Sequence, residues 1–418
     1  MKLLNKNINR IILLLFLSVT PIIFFLIRLV SFKIIIKFGI LNASRIGNLA
    51  AVSELYLCEK KLIKKSNKKI IHLIAIEKPV CNDFLLKIIK RKINFFPYYF
   101  VKSNIIFISL INKLIKFGHK NLIFNHGHLT QSKDRDTKNL FSLYPNQINL
   151  NNLEINNAKK ILSKINVNDN DKIVCLIVRD DAYLKNELSR NKNNFDWSYH
   201  NYRDCNIENY KEACEYLVNK GFKVFRMGKL VNKKISFSNK NIIDYPFSEI
   251  KSDFMDVYLA YKCIFCISSG LGYDALPAIF RKPIVYTNIT PIGCLWTWSN
   301  KYLAILKHLI FEKNNVKLTT SQHFKLDVDR ADSSKNFKDK NIQIVENTNQ
   351  DILDVVKEMV YLIDNEFSNV SISQINSLKF WEIYKKNIYD KYKSYDFYGN
   401  IESNLSANFT KKYPNYLN

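Results

Sequence analysis

Apolar positions along the chain form one long unbroken run and many short ones. The long run is residues 11–27, with no charge until Arg28. A helix rising about 1.5 Å per residue covers roughly 25 Å over that length, a little less than the ~30 Å hydrocarbon core of a bilayer. Pro21 falls near its middle, where it predicts a kink. Lys2, Lys6 and Arg10 precede the run; Arg28, Lys33, Lys37 and Arg45 follow it. Positive charge on both sides selects no orientation and fits a hairpin or an in-plane helix with both flanks cytoplasmic. A single-pass helix is the alternative. A signal peptide is disfavoured by the lack of a small-x-small cleavage site. Residues 1–33 are therefore expected to form a membrane-associated segment.

Beyond it, strand-like and helix-like patterns alternate. Strands are expected over 34–41, 70–76 and 121–125, with helices over 49–62, 82–92 and 105–117. This ordering reads as a parallel-sheet α/β unit. A helix over 153–164 leads into Asn166-Val-Asn-Asp-Asn-Asp171, the Asn/Asp cluster that best marks a domain boundary. A second α/β series follows, with strands at 172–178, 222–225, 241–244, 263–268 and 283–286. Helices at 207–220 and 253–261 alternate with them, the first closed by Gly221. From residue 350 the chain reads as helical, then Tyr/Asn/Lys-rich and loose from Tyr395. The expected organisation is a first Rossmann-like domain over 34–165, a second over 166–375, and a helical, partly disordered tail over 376–418. The fold class is α/β, with two Rossmann-like domains facing a cleft behind an N-terminal hydrophobic anchor.

Composition sharpens this picture at two points. Of the 418 residues, 47% are hydrophobic and 24% charged, which excludes a disordered chain. The net charge of +26 is unevenly spread. Residues 1–125 carry 22 Lys and Arg against 4 Asp and Glu, while the remainder holds 41 against 33. AT-rich codons favour Asn, Ile and Lys everywhere, so they do not account for the asymmetry. The first third is the part expected to meet an anionic surface. Zinc-finger spacing, a recognition helix and RNA-binding aromatic motifs are all missing, so nucleic acid is not an expected partner. The eight cysteines lack framework spacing and imply reduced thiols in the cytosol. The Cys263-x-x-Cys266 pair lies in an apolar run and reads as buried strand residues.

Candidate chemistry clusters where strands end. After the strand at 263–268 comes Ser268-Ser269-Gly270, a turn small enough for backbone N–H groups to approach an anion such as a diphosphate. Asp256 lies on the helix that feeds this strand. Arg179 and Asp180 follow one strand, and Arg226 with Gly228 follows the next. Two guanidinium groups there are expected to clamp a diphosphate. Tyr202-Arg203-Asp204 is a further polar cluster without an assigned role. In the first domain Arg45-Ile46-Gly47-Asn48 occupies a strand–loop–helix junction, with Glu54 farther along. His126 and His128 bracket Gly127 after a strand. Glu54, His126 and His128 are the candidate general bases. Two histidines make too few ligands for zinc, and Asp327-Val-Asp329 reads as surface charge, so no metal and no cofactor is expected.

The ordered set Val174-Cys-Leu-Ile-Val-Arg-Asp180, Tyr183, Tyr202-Arg203-Asp204, Tyr210, Lys220-Gly221-Phe-Lys-Val-Phe-Arg226-Met-Gly228, Ile243-Asp244-Tyr245, Lys251-Ser252-Asp253-Phe-Met-Asp256, Ser268-Ser269-Gly270 and Lys282-Pro283 with Asn288 resembles a family of bacterial glycosyltransferases of GT-B-like architecture. The likeness covers roughly residues 172–320, and Ser44-Arg45-Ile46-Gly47 more weakly. A more distant likeness is to GT-B fucosyltransferases, whose strand-end Arg and Ser-Ser turn hold a nucleotide diphosphate. The resemblance implies a nucleotide-sugar donor in the second domain, near Arg179, Arg226, Asp256 and the 268–270 turn. It also implies a glycan or lipid-linked acceptor over the first. The chain departs from the pattern at Asn48 and Val178, where a His is expected, and the base stays unassigned.

The expectation is thus a metal-independent glycosyltransferase of surface polysaccharide assembly, held at the cytoplasmic membrane with its catalytic domains facing the cytoplasm. A catalytically inactive membrane scaffold and a nucleotide-sugar epimerase of similar shape are the alternatives.

Overall fold

The structure is a computed structural model that describes residues 2–62, 69–115, 129, 134–188, 196–367, 371–394 and 399–418. It is an α/β protein whose contacts divide it into two units. The first comprises Met1–Arg135 with Tyr144–Asn149, the second Asp136–Leu143 with Leu150–Asn418.

The first unit opens with helix α1 (Lys2–Val30), which continues through Pro21. Strand β1 (Ile34–Asn42) then pairs in parallel with β2 (Lys69–Glu77), Ile34 opposite Lys69 and Asn42 opposite Glu77. Helix α2 (Ser53–Leu62) crosses between them, entered through a π-turn at Asn48–Val52. Helix α3 (Asp83–Ile89) starts where the Asn82 side chain accepts the Leu85 N–H, which satisfies a donor the first turn would leave unpaired. Helix α4 (Tyr98–Ile115) completes the unit. Phe38, Ala75, Val101, Ile108 and Ile27 form its core, so one face of α1 is part of that core. The strand expected at 121–125 lies outside the described residues.

The second unit is built on a seven-stranded sheet in which every pairing is parallel. Its strands are β3 (Lys172–Ile177), β4 (Phe222–Arg226), β5 (Ile242–Asp244), β6 (Phe265–Ser268), β7 (Ile284–Ile289), β8 (Tyr302–Leu306) and β12 (Asn404–Leu405). Across the sheet they run β12-β8-β7-β6-β3-β4-β5. Leaving out β12, that is the doubly wound order of a Rossmann fold. The direction of winding reverses between β3 and β6, and ligands bind outside the strand ends at such a point. Buried residues 173–177 and 265–268 make the two central strands apolar on both faces, as a sheet covered on both sides requires. A small antiparallel sheet of β9 (His308–Phe311), β10 (Val316–Lys317) and β11 (Ile342–Val345) stands beside it.

The structure differs from the expected organisation in two places. The chain passes between the units at 135/136, 143/144 and 149/150, so helix Asn152–Ser163, ahead of the Asn/Asp cluster, falls in the second unit. Its start is fixed by a capping box between Asn151 and Glu154. The end of the chain is not a loose tail, although residues 395–398 lie outside the described ones. After helix Ser371–Tyr392, β12 adds to the sheet beside β8, and Phe409 and Tyr416 are buried. Asp351 explains the anchoring: its carboxylate accepts from Lys412 (2.7 Å) and from the Tyr413 hydroxyl (3.1 Å).

Candidate functional site

Strands β3 and β6 end side by side, with Ile177 opposite Ser268. The ladder continues one step beyond them, the Ser269 N–H donating to the Ile177 carbonyl at 3.2 Å. The Arg179 N–H then donates to Ser269 Oγ at 2.8 Å, tying both strand ends together at the switch point. Gly270 turns the chain away with φ +76°, and a Cβ there would stand 2.7 Å from Ile289 Cδ1. The backbone conformation favours glycine, and a side chain there would also oblige Ile289 to shift.

The backbone N–H groups expected to face an anion are consumed inside the turn. Gly270 N–H donates to Ser268 Oγ (3.0 Å), and Ser268 Oγ donates to Asp274 Oδ1 (2.5 Å). The Leu271 N–H donates to Asp274 Oδ2 at 3.0 Å. A buried carboxyl therefore occupies the position assigned to a ligand anion. Burial pushes Asp274 up to about 7, opposed by those hydrogen bonds and by the Arg203 charge.

Positive charge arrives from side chains instead. Arg179 donates from Nε to Asp204 Oδ1 at 3.1 Å, and its carbonyl accepts the Cys205 N–H at 2.9 Å. Arg203 ends the short helix Ser198–Arg203 and donates from Nη2 to the Gly270 carbonyl. Lys307, 3% exposed, donates to the Tyr202 carbonyl (3.2 Å) and the Asp204 carbonyl (2.6 Å), fixing this segment from below. Tyr202 anchors it from the other side, its hydroxyl donating to the Ala331 carbonyl at 3.0 Å. Burial and then the neighbouring Arg203 charge lower the Arg179 pKa, the mark of two cations held close. Burial raises Asp204 to about 6, against the pull of Arg179. Arg179 thus pairs with the half-buried Asp204 carboxylate while Arg203 binds the Gly270 carbonyl beside it, and the Nη donors of Arg179 have no acceptor among the described residues.

Arg226 does not join them. Its guanidinium is 2% exposed, pairs with Asp244 Oδ1 at 2.9 Å and donates to the Lys233 carbonyl at 3.3 Å. Asp244 also accepts the Ile235 N–H at 3.1 Å. Since β5 lies on the far side of β4 from β3, the side chain points away from the 268–270 turn and pins the 228–235 loop. Gly228 is required there, because a Cβ would meet Val231 Cγ1 at 2.6 Å with φ +157°. Asp180 holds the same loop by accepting the Asn232 N–H at 2.8 Å. Asp256 is likewise internal: burial raises its carboxyl to about 6 beside the Tyr245 hydroxyl, and its carbonyl accepts from the Tyr273 hydroxyl at 3.0 Å.

In the first unit Glu54 is fully buried and accepts the Gln147 N–H (2.8 Å) and the Ile148 N–H (3.0 Å), one on each carboxylate oxygen. Its carboxylate is thereby engaged within that unit. His126 and His128 lie outside the described residues. Arg45 is exposed after β1, where Asn42 Oδ1 accepts from the Ser44 N–H at 3.0 Å and the Ser44 hydroxyl at 2.6 Å. Asp327 and Asp329 both meet Lys391 Nζ at 2.6 Å, and Asp329 also accepts from the Tyr392 hydroxyl at 2.6 Å. Asp329 is 1% exposed, so this pair fastens helix Ser371–Tyr392 and only Asp327 is surface charge. Cys263 and Cys266 are buried, as expected. Among the described residues no three His, Cys, Asp or Glu side chains gather as a metal site. Sequence reasoning missed Lys307 and gave Arg203 no role. The Tyr202-Arg203-Asp204 triplet was the available signal for the latter.

No protein-family model matches the chain, and no curated protein matches it. Among solved structures it is similar to the ADP-heptose LPS heptosyltransferase II of E. coli, at 11% identity and a TM-score of 0.40, over 79% of this chain and 99% of that one. At that TM-score the likeness assigns neither activity nor residues.

Proposed function

We propose that this protein is a glycosyltransferase that takes a sugar from a nucleotide-sugar donor and passes it to a glycan or lipid-linked acceptor in surface polysaccharide assembly, at the cytoplasmic membrane. The observation that carries the reading is the meeting of Arg179 and Arg203 at the β3–β6 switch point. A doubly wound sheet binds its ligand there, and paired guanidiniums match the oxygens of a diphosphate. In transfer, negative charge builds on the departing diphosphate, and preorganised cations stabilise that charge as it develops. Arg179, released from Asp204, and Arg203 fill this role without a divalent ion. Asp204 is the internal stand-in for the donor, holding the Arg179 side chain until the diphosphate displaces it. The engagement of Glu54 by the Gln147 and Ile148 N–H groups favours His126 or His128 over it as the base that deprotonates the acceptor hydroxyl.

Calorimetry of the full chain against a panel of nucleoside diphosphates and nucleotide sugars tests the reading. Binding of one nucleotide class by the wild type, lost in Arg203→Ala, supports it. A panel without binders refutes it. The engagement of Glu54 inside the fold favours a second reading, a nucleotide-binding membrane scaffold without turnover. Donor consumption by the purified chain separates the two.

A further inference from the structure

We infer that α1 lies in the plane of the membrane, sunk along one face into a single leaflet, and does not cross the bilayer. The inference deepens the membrane part of the proposed function and is independent of the transferase chemistry. Among the described residues α1 is the one helix long and apolar enough to span a membrane, yet one stripe of it is packed against the rest of the first unit. Thr20 and Ile27 are buried, and Phe16 and Phe24 meet Phe100 and Phe107 of α4 edge-on at 6.3 and 5.7 Å. These positions recur at helical spacing, so a single stripe docks on the protein along the middle of the helix. The opposite stripe, Ile8, Ile11, Leu15, Ile22, Phe25 and Leu29, is between 46% and 65% exposed. On α4, Ile106 and Leu110 are exposed as well, at 39% and 51%.

If α1 crossed the bilayer, Thr20 would sit near the midplane and α4 would follow, being packed against the same stretch. That places Lys102, Ser103 and Asn104 in hydrocarbon, together with Lys37 of β1, where ionisable side chains are disfavoured. An in-plane helix avoids this: the docked face stays with the protein while the free stripe enters the acyl boundary. The ends of α1 fit the headgroup depth. Arg10, Arg28 and Lys33 are exposed, and Lys33 Nζ lies 5.5 Å over the ring of Phe32, itself 65% exposed. Residues 1–53 contain no Asp or Glu. A second copy of this chain laid on the same stripe would oppose cation to cation in either direction, whereas an anionic leaflet complements the charge at both ends.

The test uses the full chain. Wild type should co-sediment with mixed phosphatidylcholine–phosphatidylglycerol vesicles, and Leu15→Asp with Phe25→Asp should lower the bound fraction at least about tenfold, since two large exposed apolar groups are removed. Both positions face away from the core, so an unchanged circular dichroism spectrum accompanies the loss. In inverted membrane vesicles from expressing cells, an impermeant maleimide should label exposed Cys294 and an Asn7→Cys substitution from the same side. Labelling of the two from opposite sides shows a spanning helix and overturns the in-plane placement while leaving the membrane reading intact. Failure to bind vesicles overturns both. A lipid-free dimer that the double substitution splits, with vesicle binding unchanged, assigns the stripe to a second copy and also overturns the inference.

Discussion

Arg203 donates a hydrogen bond to the carbonyl of Gly270, 67 residues later in the chain, at the turn where winding of the sheet reverses. The contact orients a guanidinium over the end of β6 while Asp204, next in sequence, restrains the second guanidinium on Arg179. Charge at this edge is supplied by side chains, since the turn's own N–H groups are satisfied by Ser268 and Asp274.

Arg203→Ala and Arg226→Ala should therefore fail in different ways. Loss of Arg203 should weaken nucleotide-sugar binding by roughly 1.5–3 kcal/mol, the usual worth of a hydrogen bond to a charged group, with little change in melting temperature. Loss of Arg226 should leave Asp244 without its buried partner and cost about 3–5 kcal/mol of stability. Calorimetry and urea denaturation on both variants check the contrast.

Asp204 competes with the donor for Arg179, and its carboxyl is raised to about 6. Protonation below that value removes the competitor, so affinity for a nucleotide sugar should rise as pH falls from 8 to 5.5. A sugar diphosphodiester does not itself titrate in this range, which keeps the profile interpretable. Asp204→Asn should bind more tightly at pH 8 and flatten the profile. A flat wild-type profile would show that Arg179 is not shared.

The Asp274 carboxyl, raised to about 7, lies above its unfolded value of about 3.9. The folded state then binds more protons than the unfolded one, and this group's contribution to stability falls as pH rises between those values. Asp274→Asn should accordingly gain stability relative to wild type at pH 8 compared with pH 5, measured by denaturant midpoints. A difference that does not change with pH would place Asp274 ionised at all these pH values.

Glu54→Gln should lower stability by roughly 1.5–3 kcal/mol through weaker acceptance of the Gln147 and Ile148 N–H groups. Turnover per folded molecule should be retained. A large fall in kcat with unchanged stability would restore Glu54 as a base.

Asp327→Ala and Asp329→Ala separate in the same manner. Asp327 is 74% exposed and should change stability by less than about 0.5 kcal/mol. Asp329 accepts from both Lys391 and Tyr392, and its loss should cost about 2–3 kcal/mol. Neither change, nor a chelator, should abolish activity.

What the sequence disclosed was local. Apolar runs at 172–178 and 263–268 announced β3 and β6, and the small residues at 268–270 announced the turn, because burial and backbone freedom leave marks on neighbouring positions. Partners distant in the chain left none. Nothing near Arg226 reveals that Asp244 will claim it, and Glu54 is consumed by residues 93 and 94 positions away. Asp274 displaced the expected anion through a carboxylate that reads from sequence as an ordinary helix-start acid. Strands β8 to β11 escaped notice because they are two to five residues long, too short for periodicity to separate them from loops.

Strand β12 has a consequence for biosynthesis. It contributes two residues, Asn404 and Leu405, beside β8, whose five residues are all buried. A ribosome exposes β8 about a hundred residues before it delivers that covering pair, and an apolar strand edge left open in the interval invites pairing with another chain. Nascent molecules thus pass through a stage in which this edge is vulnerable. Shortening the chain by its last fifteen residues would make the stage permanent, so the first symptom of such a truncation should be aggregation and not lost catalysis.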